Sequence, residues 1–230
     1  MHRMSSIKGS PARPAAPAAL QTATQILDIA ERLAQTRGFN GFSYADIAAE
    51  LGITKASLHY HFASKAELGR AIIDRYSAGF ASALVRIDHS GLAAPAQLAS
   101  YVAIYAEVLE SGRICLCGML VAEYTTLPPA MQDAIRGFFD LNEQWLARVL
   151  EAGRSAGTLA FEGAPEDAAL DITSALEGAM LLARPYGTGT RFAVAAGRLL
   201  REFSPPTPAR VSAPRTAVTR RASPPRRSPV

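Results

Sequence analysis

Apolar residues recur along most of the 230-residue chain at intervals of three and four, the spacing that places them on one face of an α-helix. Ile26, Leu27, Ala30, Leu33 and Ala34 form the first such stripe and predict a helix over 20–37, ended by Gly38. Ala45, Ile47, Ala48 and Leu51 supply the inward face of a second helix, opened by the cap residue Ser43. It closes at Gly52, where a positive φ costs glycine nothing. Ile53 enters the core, Thr54 caps a third helix over 55–61, and Ala56, Leu58 and Phe62 are its inward residues. Ser64 with Glu67 makes a capping-box pattern that starts a long helix over 65–86. Gly91 and Pro95 then interrupt the pattern. Beyond them helices are predicted over 95–110, 115–126, 128–153, 165–184 and 188–202, with a loop holding a brief extended piece at 157–163. The predicted class is all-α: an N-terminal three-helix domain carrying a helix-turn-helix, then a larger helical domain.

The polar positions add chemistry to that outline. On the 55–61 helix, Lys55, Ser57, His59, Tyr60 and His61 fall on or near the outer side. A cation, a hydroxyl, an aromatic ring and imidazoles on a short exposed helix are the composition of a major-groove reader. Ser43, Tyr44, Tyr60, His61 and Lys65 suit phosphate contacts, which set register. Lys55 and Ser57 suit base edges, Lys55 as a donor to guanine O6 or N7, with Thr54 and His59 at the margin of that set. The alternative is a structural hairpin on which each of these is a plain surface side chain and Tyr60 or His61 packs.

The run Gly41-Phe42-Ser43, then Ile47-Ala48, then GITKASLHYHFASKAEL over 52–68 resembles the DNA-binding domain of TetR/AcrR-family transcriptional regulators. The likeness covers about 20–76 and rests on Gly52, the Thr54–Lys55 pair, the Tyr60-His61-Phe62 run and Lys65, all in register. His59 departs from it, standing where the family usually has a second aromatic residue. The resemblance implies a homodimeric repressor on a palindromic double-stranded DNA operator, with a small-molecule effector sensed by the C-terminal domain. It also implies that the last two helices build a four-helix interface with a second copy. Ala175, Gly178, Ala179 and Ala183 are small enough for that close approach.

Charge and composition set the domain limits. The net charge of +4 hides an uneven distribution, because residues 1–19 and 204–230 hold nine basic residues and no acid, leaving −5 in between. A basic pI therefore says little about a basic face. The Pro/Ala-rich arm 1–19 and the Pro/Ser/Arg-rich tail 204–230 are expected to be disordered. They flank a DNA-binding domain at 20–66 and an effector-binding and dimerisation domain at 67–203. The tail either adds sequence-independent attraction to phosphate or is a solvated end without that role. No apolar run is long enough to span a membrane, and no signal-peptide pattern opens the chain, so a cytoplasmic location is expected.

Cys115 and Cys117 are the only cysteines. Two apart on a helix they point to different sides, poorly placed to share a metal or a disulfide. Three readings stand open: small buried hydrophobes, a metal site, or a thiol sensor of oxidants or electrophiles in which nearby Arg113 lowers the thiol pKa. The stretch CLCGMLVAEY with the following PPAM is similar to a TetR subgroup of electrophile- and oxidant-responsive repressors, and that likeness implies a sensing role for Cys115. Tyr101, Tyr105, Met119, Tyr124, Phe138, Phe139 and Trp145 either line an effector pocket or fill the core, and Glu123 either selects a polar or cationic effector or is paired at the surface. No phosphate loop, HExxH or nucleophile elbow occurs, and neither a cofactor nor a catalytic residue is expected. The rival classes are a helical enzyme with a vestigial DNA-binding domain and a DNA-binding protein without an effector.

Overall fold

The computed structural model describes residues 16–205, with side chains from residue 19 onward. The expectations for 1–15 and 206–230 lie outside the described residues. Between those limits the chain is all helical: α1 Ala16–Arg37, α2 Tyr44–Leu51, α3 Lys55–His61, α4 Lys65–Asp88, α5 Ala94–Glu110, α6 Leu116–Val121, α7 Pro129–Ser155, α8 Pro165–Ala183 and α9 Thr190–Glu202. Short 3₁₀ turns follow α6 and α8, at Tyr124–Thr126 and Arg184–Tyr186. Helix α1 starts four residues before the predicted position. Pro17 falls in its first turn, where the missing N–H breaks no helical hydrogen bond.

Ile26, Ala30, Leu33 and Ala34 of α1 close over Ile47 and Ala48 of α2, Leu58 of α3 and Phe62 beyond it, all buried. The turn between α2 and α3 is made by Gly52 at φ +69°, whose N–H bonds the Ala48 carbonyl. Two predicted core residues are misplaced: Ala45 and Ala56 are exposed. Tyr44 takes the inward position instead, because its hydroxyl bonds the Phe62 carbonyl and turns that face of α2 toward α3. A seven-residue helix shows the core little more than one large side chain, and in α3 that is Leu58.

Helix α4 belongs to both halves of the molecule. Leu68 and Ile72 complete the helix-turn-helix core, and Phe80 and Leu84 enter the second one. There α7 packs on α4, α5 and α8, and α9 covers α8. The predicted helix over 115–126 divides into α6 and the 3₁₀ turn ahead of Pro128, with the Thr126 hydroxyl donating to the Glu123 carbonyl. No strand occurs among the described residues. The predicted extended piece is a loop tied to the end of α9 by Ala160 N–H donating to the Phe203 carbonyl at 3.0 Å.

Candidate nucleic-acid interface and regulatory core

The outer side of α2 and α3 gathers five of the nine predicted contact residues around one open depression of about 360 Å³: Ser43, Tyr44, Lys55, His59 and Lys65. What each can offer a phosphate or a base follows from its present partners. Lys55 is exposed and has no ion-pair partner among the described residues. Thr54 caps α3 by accepting from Ser57 N–H at 3.1 Å, which leaves its own hydroxyl proton to donate. Tyr60 is exposed and meets the His61 ring edge-on at 5.2 Å. Ser57 and His61 are half-buried.

The other candidates are engaged within the chain. Tyr44 is buried and donates to the Phe62 carbonyl at 2.9 Å; burial, with Glu67 nearby, pushes its phenol up to about 12. His59 leans on the Tyr44 ring and places Nδ1 3.1 Å from the Ala63 carbonyl, so Nε2 is the nitrogen left outward. Ser43 presents both its N–H and its hydroxyl to Asp46, at 2.7 and 2.6 Å, and these bonds hold the Asp46 carboxyl below its usual range. Lys65 bends inward. Its ammonium donates to the Phe39 and Phe42 carbonyls and lies 4.5 and 4.4 Å from their ring centroids. Desolvation there lowers its pKa. In this arrangement Lys65 fixes the loop between α1 and α2 and directs no charge outward.

The eight effector-pocket candidates separate into two groups, with half-buried Phe139 edge-on to Phe138 in the first. Tyr101, Tyr105, Phe138 and Trp145 are core residues locked to one another and to Phe80. Tyr101 stacks on Trp145 at 5.6 Å, its hydroxyl lies 3.1 Å from that of Tyr105, and it donates to Asn142 Oδ1. Trp145 Nε1 donates to Asp88 and so ties α7 to the end of α4. Met119, Glu123 and Tyr124 lie instead at the junction with the helix-turn-helix. The Glu123 carboxylate accepts from Asn40 N–H at 3.1 Å, Met119 sulfur from Arg184, and the Tyr124 hydroxyl from Arg136. None of these eight lines the roughly 580 Å³ open groove between α4 and α5, whose walls include Tyr76, Phe80, Ile104 and Val108.

Cys115 caps α6, its sulfur accepting from Gly118 N–H at 3.5 Å. Both cysteines are buried, and burial together with the negative charge of Glu177 pushes both thiols well above their ordinary range. The Arg113 guanidinium, expected to favour a thiolate, bonds Ser111 and Gln35 instead. Neither sulfur is held as a ready nucleophile. Among the described residues no group of three His, Cys, Asp or Glu could hold a metal ion.

Several residues that tie the halves together went unnoticed in the sequence. Gln35 Nε2 donates to the Ile114 carbonyl at 3.0 Å, Asn40 Nδ2 to Thr126 at 2.9 Å, and Arg184 to the Thr36 carbonyl. With Glu123, they bind the end of α1 and the loop after it to the segment around α6. Glu177 was also missed. The available signal was a single acid at a stripe position on α8, between the inward residues Thr173 and Met180.

Two family models match the chain: bacterial regulatory proteins of the tetR family over residues 26–72, and the tetracyclin repressor-like C-terminal domain over residues 94–199. A TetR-family transcriptional regulator from Agrobacterium tumefaciens superposes with a TM-score of 0.78 at 29% identity, covering 81% of this chain and 99% of that one. For a TetR transcriptional regulator from Legionella pneumophila the TM-score is 0.72 and the identity 33%, over 78% of this chain and 96% of that one. The transcriptional regulator AcuR of Cereibacter sphaeroides is 26% identical over 155 residues, which are 64% of this chain and 69% of AcuR.

Proposed function

The chain belongs to the TetR family of bacterial regulatory proteins, and from that premise we propose a cytoplasmic homodimer that represses at a palindromic operator and leaves it when a small molecule binds. It is a DNA-binding regulator and not an enzyme. No helix among the described residues is long and apolar enough to cross a membrane. The observation that carries the reading is the outer face of α3, where Lys55 stands exposed and without an ion-pair partner beside the depression. Lys55 and Ser57 read base edges, while Thr54, Tyr60, His61 and the outward nitrogen of His59 hold phosphates. Tyr44, Ser43 and Lys65 shape that surface from within.

A second copy is proposed to cover the apolar face left open by α8 and α9. Leu170 and Leu182 of α8 and Val194 of α9 are 51, 70 and 61% exposed, large apolar side chains that a partner copy would bury. Of the small residues expected at this face, Ala175, Gly178 and Ala179 fit; Ala183 is buried within its own subunit. Two reading helices then address major grooves about 34–36 Å apart. Repression and release follow from two states of the dimer that differ in this spacing, and an effector shifts the balance by its differential affinity for them. The segment around α6 is the lever, because it touches the regulatory core through Cys115 and Gly118 and the helix-turn-helix through Gln35 and Asn40. A non-covalent effector is favoured over thiol modification by an oxidant or electrophile, since both thiols are buried and protonated.

Lys55→Ala tests the α3 reading. Operator selection from a randomised library followed by anisotropy titration should show binding weakened by about 1–3 kcal/mol and preference relaxed at one symmetry-related base position. Identical selected sequences and affinities for the variant and wild type would remove α3 from base readout.

A further inference from the structure

Helix α8 turns Ala169, Thr173, Leu176 and Met180 into the regulatory core, and Glu177 shares that stripe. Its carboxyl rests directly on α6: a Cβ built on Gly118 would lie 2.0 Å from Glu177 Oε2, so any larger residue there would push the carboxyl aside. Cys115, whose sulfur accepts from the Gly118 N–H, lies beside the same carboxyl. The other oxygen, Oε1, is buried without a hydrogen-bond partner. A buried carboxylate oxygen left bare is unfavourable by the full desolvation of that group, which a native fold tolerates where something else supplies the donor. Among the described residues no Lys or Arg donates to Oε1. The groups around it are aromatic: Tyr76 from α4 and Tyr101 and Tyr105 from α5 all feel its charge.

From this geometry we infer that the effector is a small protonated amine, whose ammonium donates to Glu177 Oε1 among the rings of Tyr76, Tyr101 and Tyr105. The inference rests on the repressor reading above and names the ligand class of its regulatory core. An ammonium brings the two things the site lacks, a hydrogen-bond donor and a positive charge, and aromatic faces favour a desolvated cation. The way in is the groove between α4 and α5. Tyr76 lines that groove and also feels Cys115 and Glu177 from the core, so its rotation opens the core. Glu107 and Arg86 stand along it, and Arg75 there is neutralised by ion pairs to Asp28 and Glu31. The apolar tail of the amine then rests on Phe80, Ile104 and Val108. Drawing Glu177 toward the ammonium lifts its carboxyl from Gly118 and releases α6.

Thermal unfolding and operator anisotropy of the full chain at about pH 8, where the carboxyl is ionised, test this with butylamine and benzylamine. The matching alcohols and tetramethylammonium serve as contrasts. The amines should raise Tm by several degrees and lower operator affinity about tenfold. The alcohols, uncharged, and tetramethylammonium, which has no N–H, should do neither. Glu177→Gln should lose the amine-induced rise in Tm. Equal action by an alcohol or by tetramethylammonium overturns the inference, as does no shift with either amine or a Glu177→Gln protein that responds as wild type does. The wild-type contrast among probes decides the matter independently of the variant. Operator binding without any probe is scored separately. Amine stabilisation without operator binding would sink the repressor reading and leave the amine site standing.

Discussion

Glu177 also carries a consequence for stability that can be read without any ligand. Burial pushes its carboxyl from 4.5 up to about 7. The groups facing it from α4, α5 and α6 are Tyr76, Tyr101, Tyr105, Cys115 and Cys117, all pushed upward and neutral from pH 4 to 8, so Glu177 alone titrates in the cluster. A carboxyl whose pKa is raised by folding binds its proton more tightly in the folded chain. Its cost is absent below about pH 4.5, grows as pH rises toward 7, and is constant above. Glu177→Gln should therefore stabilise the protein by roughly 2–3 kcal/mol at pH 8, with the difference vanishing near pH 4.5. Urea unfolding at the two pH values checks this, and a pH-independent difference would show that the carboxyl is not buried as described. Residues of this kind were hard to read in advance, because hydropathy marks where a side chain faces but not what it meets there. Lys65 illustrates the same limit: it lies in register with a DNA-binding motif, yet the phenylalanines that hold it are 23 and 26 residues earlier in the chain.

At the scale of elements, the helices were legible because each carries its own signals. Ser64 does accept from Glu67 N–H, Thr54 does cap α3, and Gly52 does take the left-handed turn. The ends drifted where a distant partner decides, as in the division of the 115–126 helix. There the Glu123 carboxylate is held by Asn40 from the other half of the molecule. That bond is one of those linking α1 to α6, and it motivates a test of the lever. Glu123→Ala should lower stability by about 1 kcal/mol, since one hydrogen bond at a partly exposed site is lost. Its larger effect should be on coupling: operator binding persists, but the loss of affinity on adding butylamine falls several-fold from the wild-type ratio. Anisotropy titrations with and without the amine give both numbers. An unchanged ratio would move the lever elsewhere.

At the scale of the whole molecule, the open apolar face of α8 and α9 is the feature that one subunit leaves unfinished. Leu182→Glu, at its most exposed leucine, should shift the protein to monomers in sedimentation experiments. Operator affinity should fall by at least about tenfold, because two half-sites are no longer read together. Dimers of the variant with wild-type affinity would place the interface on another surface. The family resemblance pointed to this pair of helices and their small residues allow it, whereas the exposed large ones emerge only once the core has claimed the rest of α8. The hydrogen bonds from the α6 segment to Gln35 and Asn40 join the two halves of one subunit. A link that lets an effector weaken the grip on DNA must let DNA weaken the grip on the effector by the same factor. Under the proposed mechanism, subunits away from the operator therefore fill first, and those seated on it fill last. The abundance of this protein in the cell, as much as its intrinsic affinity, then sets the concentration at which the promoter opens.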